Sequence, residues 1–393
     1  MNTMNDKQEL IVPPSLPSLF FSFLRLGSVS FGGAAIVAYV RKMVVEEKKW
    51  LPEKTFFSGM TLCQIIPGAI VMQLSAYVGL KTRGIPGAMV SFIGYGFPAF
   101  LFMIVLSILY KINHDLPAVI SGFKGLQIIV IAIIASATLS IGKSYLKNWK
   151  DIIIAIFAAI LYGLRINPVY VIVFTAIAGI ILYYKDPLEQ METLSEDKSF
   201  SIKNFVPLLS FLLILFISLL FLHPRLFELS ILMAKFDLFA FGGGFTSVPL
   251  MLHEIVTVHS WMDEATFMNG IAMGQITPGP VVITATFVGY MLYGILGGII
   301  ATISVFTPSF LIVTVIEPYF NIIRKSFYVS KALKGIFSSF TGFLFTTTIL
   351  FALNIPWDIP RVLLVIAAFI ALLYKVQIYW VVPIGAIISI LIF

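Results

Sequence analysis

The feature that most constrains the fold is an internal repeat, because short motifs from the first part of the chain return later at a fixed distance. The offset is 210 or 211 residues at every match. A constant offset over several motifs indicates two homologous halves. The matched motifs include Ser30-Phe31-Gly32-Gly33 with Ala240-Phe241-Gly242-Gly243, Trp50 with Trp261, Gln64-Ile65-Ile66-Pro67-Gly68 with Gln275-Ile276-Thr277-Pro278-Gly279, Pro98-Ala99 with Pro308-Ser309, and Lys124-Gly125 with Lys334-Gly335.

The repeat divides the chain into three parts. The first half runs from residue 16 to 185 and the second half from 225 to 393, with a stretch from 186 to 224 between them. That stretch holds a polar linker and one further apolar segment, which we expect to form an extra connecting transmembrane helix.

Composition places the chain in a membrane, since 59% of its residues are hydrophobic and only 11% are charged. Soluble domains carry about 25% charged residues. The sequence has one cysteine, Cys63, which excludes an intramolecular disulfide and a cysteine-rich metal site. The net charge of +7 is typical of cytoplasmic loops rich in Lys and Arg, so it does not indicate nucleic-acid binding.

The loop charges predict opposite membrane orientations for the two halves. The loop after the first segment carries five Lys or Arg residues, whereas its counterpart at 253–264 carries none. Further along the bias reverses, with Lys111 alone in the first half against Arg324, Lys325 and Lys331 in the second. Equivalent loops then face opposite sides. We therefore predict an all-α polytopic membrane protein, built as an inverted repeat with about 10–13 transmembrane segments, some of them broken or re-entrant.

Two apolar segments in each half contain residues that interrupt helices. The first carries Gly32 and Gly33 in one half and Gly242 to Gly244 in the other; glycine costs about 1 kcal/mol relative to alanine inside a helix. The second carries Pro67-Gly68 or Pro278-Gly279, and an interior proline costs about 3 kcal/mol or more. We call these the first and second breaks of each half.

Breaks in a membrane segment are tolerated only inside protein or beside water. Half-helix N-termini present free N–H groups and a positive dipole end, which together favour an anion site. The simpler interpretation is that Gly and Pro only kink helices or allow close packing. Because both kinds of break recur at matched positions, we favour the anion site.

Charged residues lie near the breaks. Arg25 and Lys235 occupy equivalent positions, and a cation inside a membrane costs about 2.5–3.5 kcal/mol on insertion scales. This pair favours an anionic substrate, although both side chains can also snorkel to the interface. Asp237 has no acidic counterpart and is either a proton-coupling carboxylate or a counter-ion for one of the cations. Glu254 and Glu317 lie near segment ends, where we expect the membrane interface.

Uncharged polar side chains flank the second breaks and can hydrogen-bond an oxyanion or satisfy freed backbone groups. We favour a role in the site for Gln64 and Gln275, while the threonines leave both interpretations open. The predicted substrate-binding residues are Arg25, Gly32, Gly33, Gln64, Pro67, Gly68, Gln73, Lys235, Gly243, Gly244, Gln275, Thr277, Pro278, Gly279 and Thr284, with Asp237 as the coupling candidate.

These motifs as a set resemble the chromate ion transporter family in its long, two-domain form, over nearly the whole chain. The one departure is Ala69, where the family pattern implies proline. The motifs are Phe23-Leu24-Arg25-Leu26-Gly27, Trp50-Leu51, Leu62-Cys63-Gln64 and Pro67-Gly68 in the first half, and Phe241-Gly242-Gly243-Gly244-Phe245, Val248-Pro249-Leu250, Gly274-Gln275-Ile276-Thr277-Pro278-Gly279-Pro280 and Phe287-Val288-Gly289-Tyr290 in the second.

The resemblance implies a multi-pass protein of the cell membrane that exports chromate and confers chromate resistance. The driving force it implies is the membrane potential or a proton gradient, and sulfate, an isosteric dianion, is expected to compete. The expected partners are therefore a chromate- or sulfate-like dianion, the lipid bilayer and protons, with a homodimer left open and no nucleic acid. No cofactor or metal is expected.

The residues themselves leave other functions open. A transporter of sulfate or another small anion fits the same features, and so does a passive anion channel. A membrane enzyme fits least well, because the sequence offers no acid–base or metal-binding constellation. We therefore expect no enzymatic activity.

Overall fold

The computed structural model describes residues 13–31, 35–187 and 206–393, and within these ranges all regular elements are helical. The first half begins with α1, which Ser15 caps by accepting a hydrogen bond from the Ser18 N–H. Its helices are α1 (Leu16–Ser28), α2 (Ala35–Arg41) with a π-helical continuation (Lys42–Glu47), α3 (Glu53–Ile65), α4 (Ile70–Asn113), α5 (Pro117–Tyr145), α6 (Trp149–Gly163) and α7 (Pro168–Leu182).

The second half repeats this order after the connecting helix α8 (Val206–Leu222). Both halves contain a π-helix at the matched place, and such segments are frequent at functional sites. The elements are α9 (Pro224–Leu238), a 3₁₀ turn (Gly244–Thr246), α10 (Ser247–Met251) with a π-helix (Leu252–Val258), α11 (Glu264–Ile276), a 3₁₀ turn (Val281–Ile283), α12 (Thr284–Ile316), a 3₁₀ turn (Glu317–Tyr319), α13 (Phe320–Lys325), α14 (Phe327–Leu353), α15 (Ile359–Leu373) and α16 (Ile378–Ile392).

The long helices α4 and α12 each fold back on themselves at one glycine. Gly84 has φ 66° and Gly294 has φ 63°, a left-handed conformation inside an otherwise helical run. In both halves two glycines eight residues apart then meet across the turn, since a Cβ on Gly79 would overlap the Gly87 carbonyl and one on Gly289 would overlap that of Gly297. The first part of α4, residues 70–82, therefore packs beside α3, where the Tyr77 hydroxyl donates to the Thr55 carbonyl at 3.1 Å.

Four helical stretches are long and apolar enough to cross a membrane: Ile70–Asn113, Pro117–Tyr145, Val281–Lys325 and Phe327–Leu353. The last two helices of each half, α6 and α7 or α15 and α16, have 15 residues each. At 1.5 Å per residue such a helix is about 22 Å long, less than the roughly 30 Å hydrocarbon core. These helices therefore form short hairpins beside the long ones.

Each short hairpin packs on the long helix of the other half. In the first half, α6 and α7 lie against α14, where a Cβ on Gly335 would overlap the Thr175 carbonyl and the Thr346 hydroxyl donates to the Ala159 carbonyl at 3.0 Å. In the second half, α16 lies against α5, and the Ser389 hydroxyl donates to the Ser121 carbonyl. The halves are thus interlocked rather than side by side. An all-α protein of two homologous halves is confirmed.

Candidate functional site

The second breaks of the two halves have the same backbone shape. After α3 and α11 the chain becomes extended for one residue, at Ile66 (ψ 151°) and Thr277 (ψ 144°). Gly68 and Gly279 follow with φ 120° and 123°, a conformation that only glycine adopts without strain. The proline before each glycine ends the helix, and the next helical segment starts within three residues.

Each second break contacts the residues that lead into the first break of the opposite half. The Gly68 N–H donates to the Ala240 carbonyl at 2.9 Å, and the Gly279 N–H donates to the Ser30 carbonyl at the same distance. Two-fold-related halves produce such reciprocal contacts, in agreement with an inverted repeat. We call residues 28–31, 66–69, 239–244 and 277–281 the junction.

The junction collects helix ends. The last residues of α1, α3, α9 and α11 lead into it, and the first residues of α4 and of the 3₁₀ turns at Gly244–Thr246 and Val281–Ile283 lead out of it. Gly244 packs close to the second break of its own half, because a Cβ there would lie 3.2 Å from the Val281 nitrogen. The first N–H groups of a helix lack partners within it, so the junction offers donors suited to an oxyanion.

The predicted glycines differ in how the structure uses them. A side chain at Gly68 would collide with Ser309, and one at Gly279 would lie 2.8 Å from the Cβ of Ala99. Gly243 has φ 114° and nothing within 4 Å of its Cβ position. Gly32 and Gly33 lie outside the described residues.

The predicted amides are placed unequally. Gln64 is exposed, whereas Gln275 is buried and its Nε2 has no hydrogen-bond partner among the described residues. Gln73 is fully buried; its Nε2 donates to the Pro67 carbonyl at 2.5 Å, while its Oε1 is unpartnered in the described structure. Gln73 therefore satisfies a backbone group freed by the break, one of the two roles considered for these side chains.

The threonines also serve the backbone. Thr277 donates to the Gly274 carbonyl and Thr284 to the Val281 carbonyl, each at 2.9 Å. Pro278 is buried and Pro67 is half-buried. Gln275 is thus the predicted amide with a free donor aimed into the packed interior.

The two matched cations occupy equivalent positions, one in each half, but have different surroundings. Arg25 is exposed and lines a groove of about 490 Å³ between α1 and the π-helix, together with Tyr39, Lys42 and Glu47. Lys235 pairs with Glu254, which is buried with 4% of its side chain exposed. Each cation therefore lies on the helix that leads into the first break of its own half.

Asp237 makes different contacts from those considered in the sequence. It is fully buried, and its Oδ2 accepts a hydrogen bond from the Ser309 N–H at 2.7 Å. Lys235 has Glu254 as its counter-ion instead. Glu254 also accepts from the Asn167 amide of the first half at 3.1 Å.

Sequence reasoning missed Ser309, Glu254 as an ion-pair partner and Asn167. Ser309 carried a usable signal, since it replaces Ala99 within the matched Pro98 and Pro308 motifs. The roles of Glu254 and Asn167 depend on contacts over 19 and 87 residues. No local pattern indicates such contacts.

Comparisons with known proteins cover nearly the whole chain. The sequence profile of the chromate transporter family matches residues 17–180 and again 227–390. The chain is 46% identical to an uncharacterized transporter of Methanocaldococcus jannaschii over 95% of this chain and 94% of that protein. It is 28% identical to a chromate transport protein of Cupriavidus metallidurans (92% and 88% covered) and to a probable chromate transport protein of Synechococcus elongatus (94% and 93%). No solved structure matches.

Proposed function

The chain belongs to the chromate transporter family as a multi-pass membrane transporter, and on that premise we propose that it moves chromate, a dianion of the sulfate type, out of the cell through the junction. The observation that carries the proposal is the pair of reciprocal hydrogen bonds that join each Pro-Gly break to the residues leading into the glycine-rich break of the opposite half. Free helix N-termini bind oxyanions through backbone N–H groups. The names of the relatives supply the ion.

The proposed mechanism is alternating access, in which residues 16–185 and 225–393 rock about the junction and 186–224 connect them. Inverted-repeat transporters place the site at the repeat interface and move one repeat against the other. The part of the α4–α12 contact around Phe92 suits such a motion, because it is apolar. The Phe92 ring lies 6.4 and 5.2 Å from those of Phe306 and Phe310, measured between ring centroids. The membrane potential or a proton gradient drives the cycle.

Within the site, the N–H groups at the start of α4 and of the 3₁₀ turns at Gly244–Thr246 and Val281–Ile283 surround the dianion, and the free Nε2 of Gln275 orients it. Gly68 and Gly279 hold these helix ends in place through their own hydrogen bonds. Arg25 and Lys235 attract the anion toward each first break. Their placement beside the breaks supports this role, because a fixed cation in a low-dielectric setting attracts a dianion over several ångströms. Release of Lys235 from Glu254 would free it for the substrate.

The test is chromate flux into proteoliposomes that contain the purified protein, with empty liposomes as the control. Saturable flux that sulfate inhibits and that responds to an imposed gradient supports the proposal. Flux that rises without saturation would mean a passive anion channel. Saturable flux of sulfate or another anion, with none of chromate, would assign the junction to a different cargo.

A further inference from the structure

A chain of hydrogen bonds links a buried carboxyl group to the second break of the first half. The Ser309 N–H donates to Asp237 Oδ2 at 2.7 Å, and the Ala69 N–H donates to the Ser309 hydroxyl oxygen at 3.1 Å. Ser309 follows Pro308, the proline inside α12, and Ala69 is the N-cap residue of α4. The link therefore runs from α9 through α12 to the residue that caps α4.

The repeat does not reproduce this link on the other side. The equivalents of Asp237, Ser309 and Ala69 are Gly27, Ala99 and Pro280, which have no carboxyl group, no hydroxyl group and no N–H respectively. Gly27 leaves no room for a side chain, because its Cβ would overlap a backbone carbonyl of α4. All three residues of the link therefore differ from their equivalents in the repeat.

The departure from the family pattern at Ala69 now has a physical explanation. A proline at position 69 would fit the backbone, since Ala69 and Pro280 both have φ −79°. It would lack the N–H that Ser309 accepts. Alanine preserves the donor that completes the link.

Asp237 is buried and has no neighbouring cation among the described residues. Lys235 is paired with Glu254, and α8 and α10 carry no titratable side chain. The titratable side chains of α12 are Tyr290 and Tyr293, which come before the fold-back at Gly294, whereas Ser309 lies well after it. Asp237 Oδ1 has no hydrogen-bond partner in the part of the chain that the structure describes. A buried carboxyl group without a counter-ion favours its neutral, protonated form.

We propose that Asp237 is a proton-binding site of the transport cycle, and that Ser309 carries its charge state to the break at Ala69. This inference rests on the proposed oxyanion transport and names the proton as the coupling ion. The ionised carboxylate accepts strongly from the Ser309 N–H, whereas the neutral acid accepts more weakly and can donate a hydrogen bond. One proton bound or released therefore changes the hydrogen bonding that positions the start of α4.

The experiment compares two fluxes of the full protein in proteoliposomes: chromate exchange at equal pH, and uphill chromate flux driven by a pH gradient. The ratio of the driven flux to the exchange is the readout. We expect Asp237→Asn to reduce this ratio at least tenfold. Asp358→Asn, which changes an exposed carboxylate that caps α15, should leave the ratio unchanged.

A second variant separates proton binding from its transmission. Ala69→Pro combined with Ser309→Ala gives the break the residues of the other half and leaves Asp237 in place. Infrared difference spectra on a pH change should keep the carboxylic-acid band in this double variant and lose it in Asp237→Asn, while both variants lose the gradient-driven flux.

The outcomes that overturn the inference differ from those that overturn the transport proposal. If Asp237→Asn keeps the wild-type flux ratio, or if the infrared band survives in it, Asp237 is not the proton site although oxyanion transport stands. If the wild-type protein shows neither exchange nor driven flux of any oxyanion, the transport proposal itself fails.

Discussion

At the scale of single residues, Lys235 depends on one buried partner. Glu254 keeps 4% of its side chain exposed and receives both Lys235 and Asn167. Removing one member of a buried ion pair leaves an uncompensated charge and costs about 3–5 kcal/mol. We expect Lys235→Gln to lower the thermal unfolding midpoint of the detergent-purified protein by an amount that corresponds to this free energy. The double variant Lys235→Gln with Glu254→Gln should recover most of the lost stability.

The double variant also tests the role of Lys235 in transport. If Lys235 attracts the anion, the stability-restored protein should still require a several-fold higher chromate concentration for half-maximal flux. Equal stability of the single and double variants would contradict the ion-pair account. Wild-type concentration dependence in the double variant would contradict the attraction.

Sequence reasoning reached part of this site. Arg25 and Lys235 stood out because the repeat placed two cations at one position of an apolar segment. The partner of Lys235 did not, because Glu254 lies 19 residues away on a π-helix, whose side-chain register differs from that of an α-helix. Which acidic group faces a cation is decided by packing between elements.

At the scale of elements, glycine contacts set how closely each short hairpin approaches the long helix of the other half. Gly335 on α14 meets the backbone of α7 at Thr175, and forcing atoms into such a contact costs about 1–3 kcal/mol. We expect Gly335→Ala to lower the thermal unfolding midpoint by an amount that corresponds to this free energy, and to reduce the amount of folded protein in membranes.

A matched glycine provides the control. Gly122 on α5 faces α16, but its Cβ would lie 3.4 Å from the Ile390 side chain, an ordinary contact. Because alanine gains about 1 kcal/mol of helix propensity over glycine, Gly122→Ala should be neutral or stabilising. Similar losses in both variants would indicate that backbone proximity does not decide the effect.

The breaks and the fold-back turns differ in how visible they are to sequence reasoning. Pro67-Gly68 and Pro278-Gly279 predict a helix end by their chemistry, and in the structure α3 and α11 end just before them. Gly294 stands in a long apolar run, which a continuous helix tolerates at small cost. Its counterpart Gly84 follows Lys81 and Arg83 and precedes Pro86, a local turn signal that the sequence predictions did not use. Their positive φ follows from the tertiary fold.

At the scale of the whole molecule, the repeat and the loop charges predicted two related halves, whereas the interlocking of those halves was not predictable. Each short hairpin, α6–α7 or α15–α16, packs on the opposite half, but its sequence would be equally apolar if it packed on its own half. Hydropathy therefore carries no signal for it. The sequence indicates the close packing between hairpin and long helix through small residues at the contacts, such as Gly179 and Gly385.

One ion pair between the halves has no counterpart on the opposite side. Lys81 in α4 pairs with Glu317 at the end of α12 at 2.5 Å, with 14% and 12% of the side chains exposed. Their equivalents are Met291 and Ser107. In an inverted repeat, the two access states exchange the roles of the halves, so an unmatched pair stabilises one state over the other.

Replacing the pair by its equivalents, Lys81→Met with Glu317→Ser, should therefore shift the protein toward the opposite access state. A coupling of about 1 kcal/mol corresponds to a shift of about fivefold in the ratio of the two states. Spin labels on the outer ends of α5 and α14, in a variant with Cys63 replaced, would report that ratio as two distances. A double variant with the wild-type ratio would contradict the assignment, as would a single Lys81→Met variant that shifts it more than the double, because an unpaired Glu317 would then be the cause.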